Sequence, residues 1–409
     1  ALTLSLFGSA QIVRRGRLRD YLLAGFGLGL ACASKYTAGI ALVPLAAASA
    51  LQYLEAGDGR SRRVLGGLAL AIGAALAGFL IANPYALLDY SRFHAELVRQ
   101  SSLSTEAQGK LGAPKQGGLI YYLWSLTWGL GWLPALFALG GALTIWRKHA
   151  RLGWMLVPPA LLFLAFMGLQ GRYFGRWLLP IFPIVCLLAA YFAVSLIARA
   201  AAALAARRVT ASRRMPIAFA TLLVTVLLAQ GLFYSVHSGK VLARADTRNL
   251  TRAWMVAHIP SGTPIVVEPV APDAWGKRWR KYPSTLSRIS ASGGLEPSVT
   301  REVGIEDYER TLSPALIGYY ERHSYCWVVS GSTQSGRAYA DPKEVPHAIA
   351  YYAALARQGE VAYRASPYSQ GQRPVAFDFD WSFDYYPLAY DRPGPEMTVY
   401  RLHGGRCAH

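Results

Sequence analysis

Arg14-Arg15-Gly16-Arg17-Leu18-Arg19 is a dense basic loop set between two apolar runs, 1–13 and 21–54. The pattern recurs at Arg60-Ser61-Arg62-Arg63, at Arg147-Lys148-His149-Ala150-Arg151 and, more loosely, with Arg199, Arg207, Arg208, Arg213 and Arg214. Short loops dense in Lys and Arg mark the cytoplasmic side of a membrane protein. Reading these four loops therefore sets both the class of fold and its topology.

Outward from the loops, the remaining apolar runs are 64–81, 119–146, 154–170, 178–197 and 216–236. Most approach the roughly 20 residues that one bilayer crossing needs. Run 21–54 lies between two basic loops that must share a side, so it crosses an even number of times and reads as a hairpin of two short helices. Ser34-Lys35-Tyr36-Thr37 at its centre supplies the outward turn and the only charge within the run. The outer face then receives the 84–118 loop, the 171–177 loop and everything beyond Val236. About eight spans, the hairpin included, make residues 1–237 a transmembrane helical domain. Run 1–13 is short for a full span and the chain does not begin with Met, so the expectation is a fragment whose N-terminal helices lie upstream.

Bulk composition agrees with this class. Over 409 residues, 53% are hydrophobic and the formal charge is +19. Much of that charge lies in loops facing anionic lipid, so it calls for no nucleic acid. From about Ser238 the chain turns polar and rich in Pro, Gly and aromatics, and 238–409 reads as one soluble extracytoplasmic domain. Asp246 is placed to cap a helix over 247–258. Strand patterns at 264–268, 325–330, 360–364 and 397–402, with helical patterns at 314–322 and 345–357, predict a small α/β domain. Cys326 and Cys407 fall in this disulfide-permitting part, where a bridge and two free thiols are both open. Cys and His spacing points to no metal site.

The chemistry is read from charges at the outer ends of the helices. The interiors of runs 64–81, 119–146, 154–170, 178–197 and 216–236 carry no charged residue, which argues against an ion-coupled transporter. Cations on the outer face run against the positive-inside bias, and an anionic lipid phosphate would explain them. Lys35 at the hairpin tip is a point charge with Tyr36 and Thr37 hydroxyls beside it. Arg172 and Arg176, four apart, would share one helical face and offer forked donors that match phosphate oxygens. For all three, and for Tyr173, the alternative is an interfacial belt that snorkels to headgroups. Pro180 and Pro183 should loosen the start of the following span. Asn83-Pro84-Tyr85 leads into a segment in which Phe93 and Leu97 make an apolar side and Arg92, Glu96 and Arg99 a polar one, an interfacial helix. Tyr36, Tyr85, Asp89, Arg92 and His94 are candidates to line a substrate groove, and Asp89 is the fallback base.

Arg172-Tyr173 followed by Pro180-Ile181-Phe182-Pro183, the Ser34-Lys35-Tyr36-Thr37 tip, Pro84-Tyr85-Ala86-Leu87-Leu88-Asp89, and Asp246-Thr247-Arg248-Asn249-Leu250 occur in an order that resembles lipid-carrier-dependent glycosyltransferases of the GT-C fold. That superfamily includes protein O-mannosyltransferases and bacterial aminoarabinose transferases. The stretch 377–388 looks like the outer domain of a bacterial branch. The resemblance implies a multi-pass bacterial plasma-membrane enzyme that moves a sugar from a polyprenyl-phosphate donor to an acceptor on the outer face, with inversion. Lys35, Arg172, Tyr173 and Arg176 are the candidates to bind the donor phosphate, and the resemblance expects the catalytic carboxylate in an outer loop upstream of Ala1. The chain alone is then expected to be inactive. Its partners would be membrane lipid, the lipid-linked donor and an acceptor that the sequence does not specify. The alternative is a membrane-anchored glycan-binding or scaffolding protein without catalysis, with Trp275, Trp279, Trp381, Tyr385 and Tyr386 as either sugar-stacking or core residues.

Overall fold

The computed structural model describes residues 1–55, 58–105, 111–113, 115, 117–206, 214–270, 275, 278–281, 288–289, 295–296, 308–377 and 386–408. Two compact units emerge: 1–106 with 115–233, and 107–114 with 234–409.

The first unit is helical. Its helices are α1 (Leu2–Arg15), α2 (Leu18–Ser34), α3 (Leu42–Leu54), α4 (Asp58–Ala82), α5 (Tyr85–Leu88), α6 (Tyr90–Thr105), α7 (Gly118–Leu126), α8 (Trp132–Lys148), α9 (Ala150–Gly168), α10 (Phe182–Ala206) and the start of α11 (Arg214–Leu242). Six helical stretches among the described residues are long and apolar enough to cross a membrane. Helices α1 and α2, at 14 and 17 residues, fall short of that length. The hairpin predicted over 21–54 does turn at Lys35, whose backbone is extended, and resumes as the 3₁₀ turn Tyr36–Ala41 before α3. Its two arms lean on α1 more than on each other.

Close approach of backbones sets the packing of α2. Gly25 and Gly29, four apart, face α4, where a Cβ on either would run into the Ala71 or Ala75 carbonyl. Gly27 faces α1, and a Cβ there would stand 2.6 Å from the Ser5 nitrogen. Small residues at helix contacts let dispersion and backbone proximity replace the hydrophobic drive that lipid does not supply.

A wide π-type turn, Thr127–Gly131, interrupts the passage from α7 to α8, with Gly131 at φ 110°. Such a break frees backbone groups that must find partners inside a membrane. Gln230 of α11 supplies them, donating to the Thr127 carbonyl at 3.0 Å and accepting from the Trp132 N–H at 3.1 Å.

Three basic loops gather at one end of this unit. Gln52 Nε2 donates to the Val13 carbonyl at 3.0 Å, beside the first loop, and Arg151 pairs with Glu55 at 2.8 Å, joining the ends of α3 and α9. Of the fourth loop, 207–213 lies outside the described residues.

The second unit is a three-layer α/β domain. A five-stranded sheet runs in the order β2 (Arg280–Lys281), β1 (Pro264–Val267), β5 (Trp327–Gly331), β7 (Met397–Arg401), β6 (Glu360–Ala365), with β2–β1–β5 parallel and β7 antiparallel to both neighbours. A two-stranded ladder, β3 (Arg288–Ile289) with β4 (Leu295–Glu296), lies apart. Alternation along the strands sorts the core. Val266 and Val328 face α13 (Ala315–Arg322) and α15 (Pro346–Gln358) through Leu316, Ile317, Tyr351 and Leu355. Ile265, Val267, Val329 and Val399 face Met255 and Ile259 at the end of α12 (Thr247–His258). Asp246 caps α12 as expected, accepting from the Arg248 N–H at 2.8 Å. Cys326, at the start of β5, is disulfide-bonded to Cys407 near the C-terminus. Leu111, from the segment between α6 and α7, is 2% exposed in this core.

Candidate functional site

Opposite the basic loops, the chain breaks twice before a span. Tyr36–Ala41 opens α3 and Gly175–Ile181 opens α10, both as 3₁₀ turns, and the two turns pack against each other. The second carries Pro180, in keeping with the loosened start expected there. This brings the Lys35 tip and the 171–177 loop, distant in sequence, to one place.

Arg172 and Arg176 do not share a helical face. The chain after α9 is irregular until Gly175, so the i, i+4 relation of a helix is absent. They converge by another route: both guanidiniums stand over the ring of buried Phe174, at 5.1 and 4.4 Å. A desolvated ring face attracts cations by its quadrupole, so Phe174 acts as the platform that holds the two charges near each other. Phe174 is itself fixed by Trp177 at 5.2 Å and by its N–H to the Tyr122 hydroxyl at 3.4 Å. Tyr173 turns to Tyr121 and Tyr122, at 5.4 and 6.2 Å between ring centres, which makes it a wedge that seats the loop.

Lys35 lies between α2 and the span that begins at Tyr36. Burial, then the charge of Arg176, push its ammonium below the ordinary lysine pKa. No described carboxylate pairs with Lys35. Two cations held together in a partly desolvated place raise the local potential and favour an anion. Thr37, two residues on, has a buried hydroxyl oxygen with no hydrogen-bond partner among the described residues.

Phe93 of α6 rests on Tyr36 and Phe79 at 6.4 and 6.3 Å, so α6 docks beside the Lys35 tip. Its polar side is exposed, with Glu96 and Arg99 paired at 2.7 Å. Asp89 sits at the start of α6, where Oδ1 accepts from the Arg92 N–H and the Ser91 hydroxyl, both at 3.4 Å. That is a helix-capping arrangement, and it gives the carboxylate a structural role. Tyr85 is 67% exposed, Arg92 is exposed, and His94 has Tyr90 as its ring neighbour at 5.9 Å.

Lys35, Tyr36, Arg172 and Arg176 are thus brought together. Phe174, Phe79 and the Tyr121–Tyr122 pair, which organise them, carried no charge pattern by which sequence reasoning would single them out. Among the described residues no cluster of His, Cys, Asp or Glu is arranged to hold a metal ion. Trp275 and Trp279 are each 2% exposed and belong to the core of the second unit, while Trp381 and Tyr385 lie outside the described residues. Compared with protein-family models, with curated proteins and with solved structures, the chain matches none.

Proposed function

We propose that this chain belongs to a membrane glycosyltransferase of the GT-C type that takes a sugar from a polyprenyl-phosphate donor on the outer face of a bacterial plasma membrane. The observation that carries the reading is the convergence of Lys35, Arg172 and Arg176 at the end of the bundle opposite the basic loops. An ammonium without a carboxylate partner among the described residues, beside two guanidiniums on an aromatic platform, suits a phosphate whose negative charge grows as the anomeric bond breaks. Attack by an acceptor hydroxyl on the face away from the departing phosphate inverts the anomeric carbon. The isoprenoid tail would lie along the exposed apolar sides of the spans. The acceptor proton needs a base, and Asp89, held as a helix cap, is only a fallback for that role.

Binding tests this without requiring turnover. The purified chain in nanodiscs should bind farnesyl phosphate and not farnesol. Lys35→Ala should weaken that binding by about ten- to hundredfold, the worth of a hydrogen bond to a charged group. Equal affinity for farnesol, or unchanged affinity in Lys35→Ala, would reduce these cations to interfacial anchors.

A further inference from the structure

The second unit contains a cavity of about 750 Å³, within the range of roughly 300–1,000 Å³ typical of small-ligand clefts. Its position follows from strand order. The chain leaves β1 toward β2 on one side and returns at β5 on the other, so the connections diverge at the carboxyl ends of β1 and β5. Ligands in open α/β sheets bind in the crevice at such a switch point. Pro269 and Val270 follow β1, and Ser332, Thr333 and Ser335 open α14 (Ser332–Ala340) after β5; all five line the cavity.

The lining chemistry narrows the ligand. Tyr339, Tyr368, Tyr386 and Tyr390 give aromatic walls, with Tyr390 braced by Tyr368 at 5.3 Å and Tyr386 at 6.1 Å. Three groups that could hold an anion here are already engaged. Arg248, the guanidinium in the wall, is held in a fork by Asp246 at 2.6 and 2.9 Å. At the start of α14, the Gly331 N–H goes to Glu268 Oε2 and the Ser332 N–H to the Glu396 carbonyl, both at 2.8 Å. What remains is a cleft of ring faces and hydroxyls, in which the Glu396 carboxylate has its charge countered by Arg364 at 3.8 Å. Flat apolar faces beside fixed acceptors and hydroxyls match the C–H face and hydroxyl rim of a sugar ring.

We infer that this cavity at the carboxyl ends of β1 and β5 binds a neutral saccharide of one or two rings. The inference goes beyond the donor reading and stands without it, since no residue of the Lys35 cluster takes part.

Saturation-transfer NMR on the intact chain in nanodiscs would test it, with maltose, cellobiose and mannobiose as separate probes and inorganic phosphate as competitor. At least one disaccharide should receive transfer and keep it when phosphate is added. Tyr339→Ala, at a 56% exposed position, should weaken binding by about three- to tenfold, the worth of one stacked ring. Thr333→Trp should fill the cleft and abolish it. Formation of the Cys326–Cys407 disulfide on a non-reducing gel checks that each variant folds, and Lys35→Ala should leave transfer unchanged. Failure of all three disaccharides, displacement by phosphate, or transfer untouched by both pocket variants would overturn the inference. A Lys35→Ala result in the farnesyl phosphate assay bears only on the donor reading.

Discussion

Replacing Glu268 by Gln should remove a specific pH dependence from the stability of the α/β domain. Glu268 follows β1, is 1% exposed, and its Oε2 accepts the Gly331 N–H at 2.8 Å. Burial raises its pKa from 4.5 to about 8, and the Gly331 N–H offsets only part of that. Glu309 adds to the rise, while Tyr352 and Ser330 work against it. The folded state therefore holds a proton that the unfolded state has released between about pH 4.5 and 8. Below that window both states are protonated and the stability is fully present. It is lost as pH rises, by about 1.4 kcal/mol per unit, to a total of roughly 5 kcal/mol above pH 8. Gln keeps the shape and an acceptor for Gly331 but never charges. The opening free energy of β1 and β5, read from hydrogen-exchange protection at Val266, Val328 and Val329 after the intrinsic pH effect is divided out, should fall with pH in the wild type. In Glu268→Gln it should be flat, with the two proteins converging near pH 4.5. Parallel slopes in the two proteins would refute the assignment of the proton to this carboxyl.

Gln230→Leu should destabilise the helical unit by roughly 1–3 kcal/mol, because it strips partners from two backbone groups at the Thr127–Gly131 break; thermal unfolding in detergent checks this. Gly29→Leu should separate α2 from α4 and lower the same transition further, since the added side chain meets the Ala75 carbonyl and no rotamer avoids it; a wild-type midpoint would contradict the packing described. Replacing Cys326 and Cys407 together with Ser opens a loop spanning 81 positions and should cost roughly 4 kcal/mol by chain-entropy reasoning, measured as a urea midpoint of the α/β domain. Cysteine labelling should find positions 15 and 148 accessible from one side of sealed vesicles and position 35 from the other; reagent reaching 15 and 35 from the same side would end the hairpin topology.

Much of the architecture was legible because it is written in short-range patterns. The helix over 247–258 matches the sequence reading, since Asp246 capping is a local signal. Four strands and two helices of the α/β domain lie within a few positions of where the sequence patterns place them, for the same reason. The sequence patterns do not predict helix α14: Ser332-Thr333-Gln334-Ser335-Gly336 is poor in helix formers, and its buried side carries the polar Gln334 and Arg337, 0% and 1% exposed, which no apolar periodicity reveals. The site shows the same division. Lys35, Arg172 and Arg176 stand out as cations at the ends of apolar runs away from the basic loops, a property of composition along the chain. Their meeting depends on two 3₁₀ turns packing together across about 140 positions and on one ring, Phe174, turned inward between two arginines. Sequence spacing suggested a helical face that the irregular chain after Gly168 does not form, yet the convergence survives, because the ring face replaces the helix as the means of bringing two guanidiniums together. If Phe174 is that means, Phe174→Leu should keep the loop buried while releasing both arginines. The loss of farnesyl phosphate affinity in Phe174→Leu should then approach that of Lys35→Ala, with the helical unit still folded. Unchanged affinity would show that the arginines hold their positions without the ring.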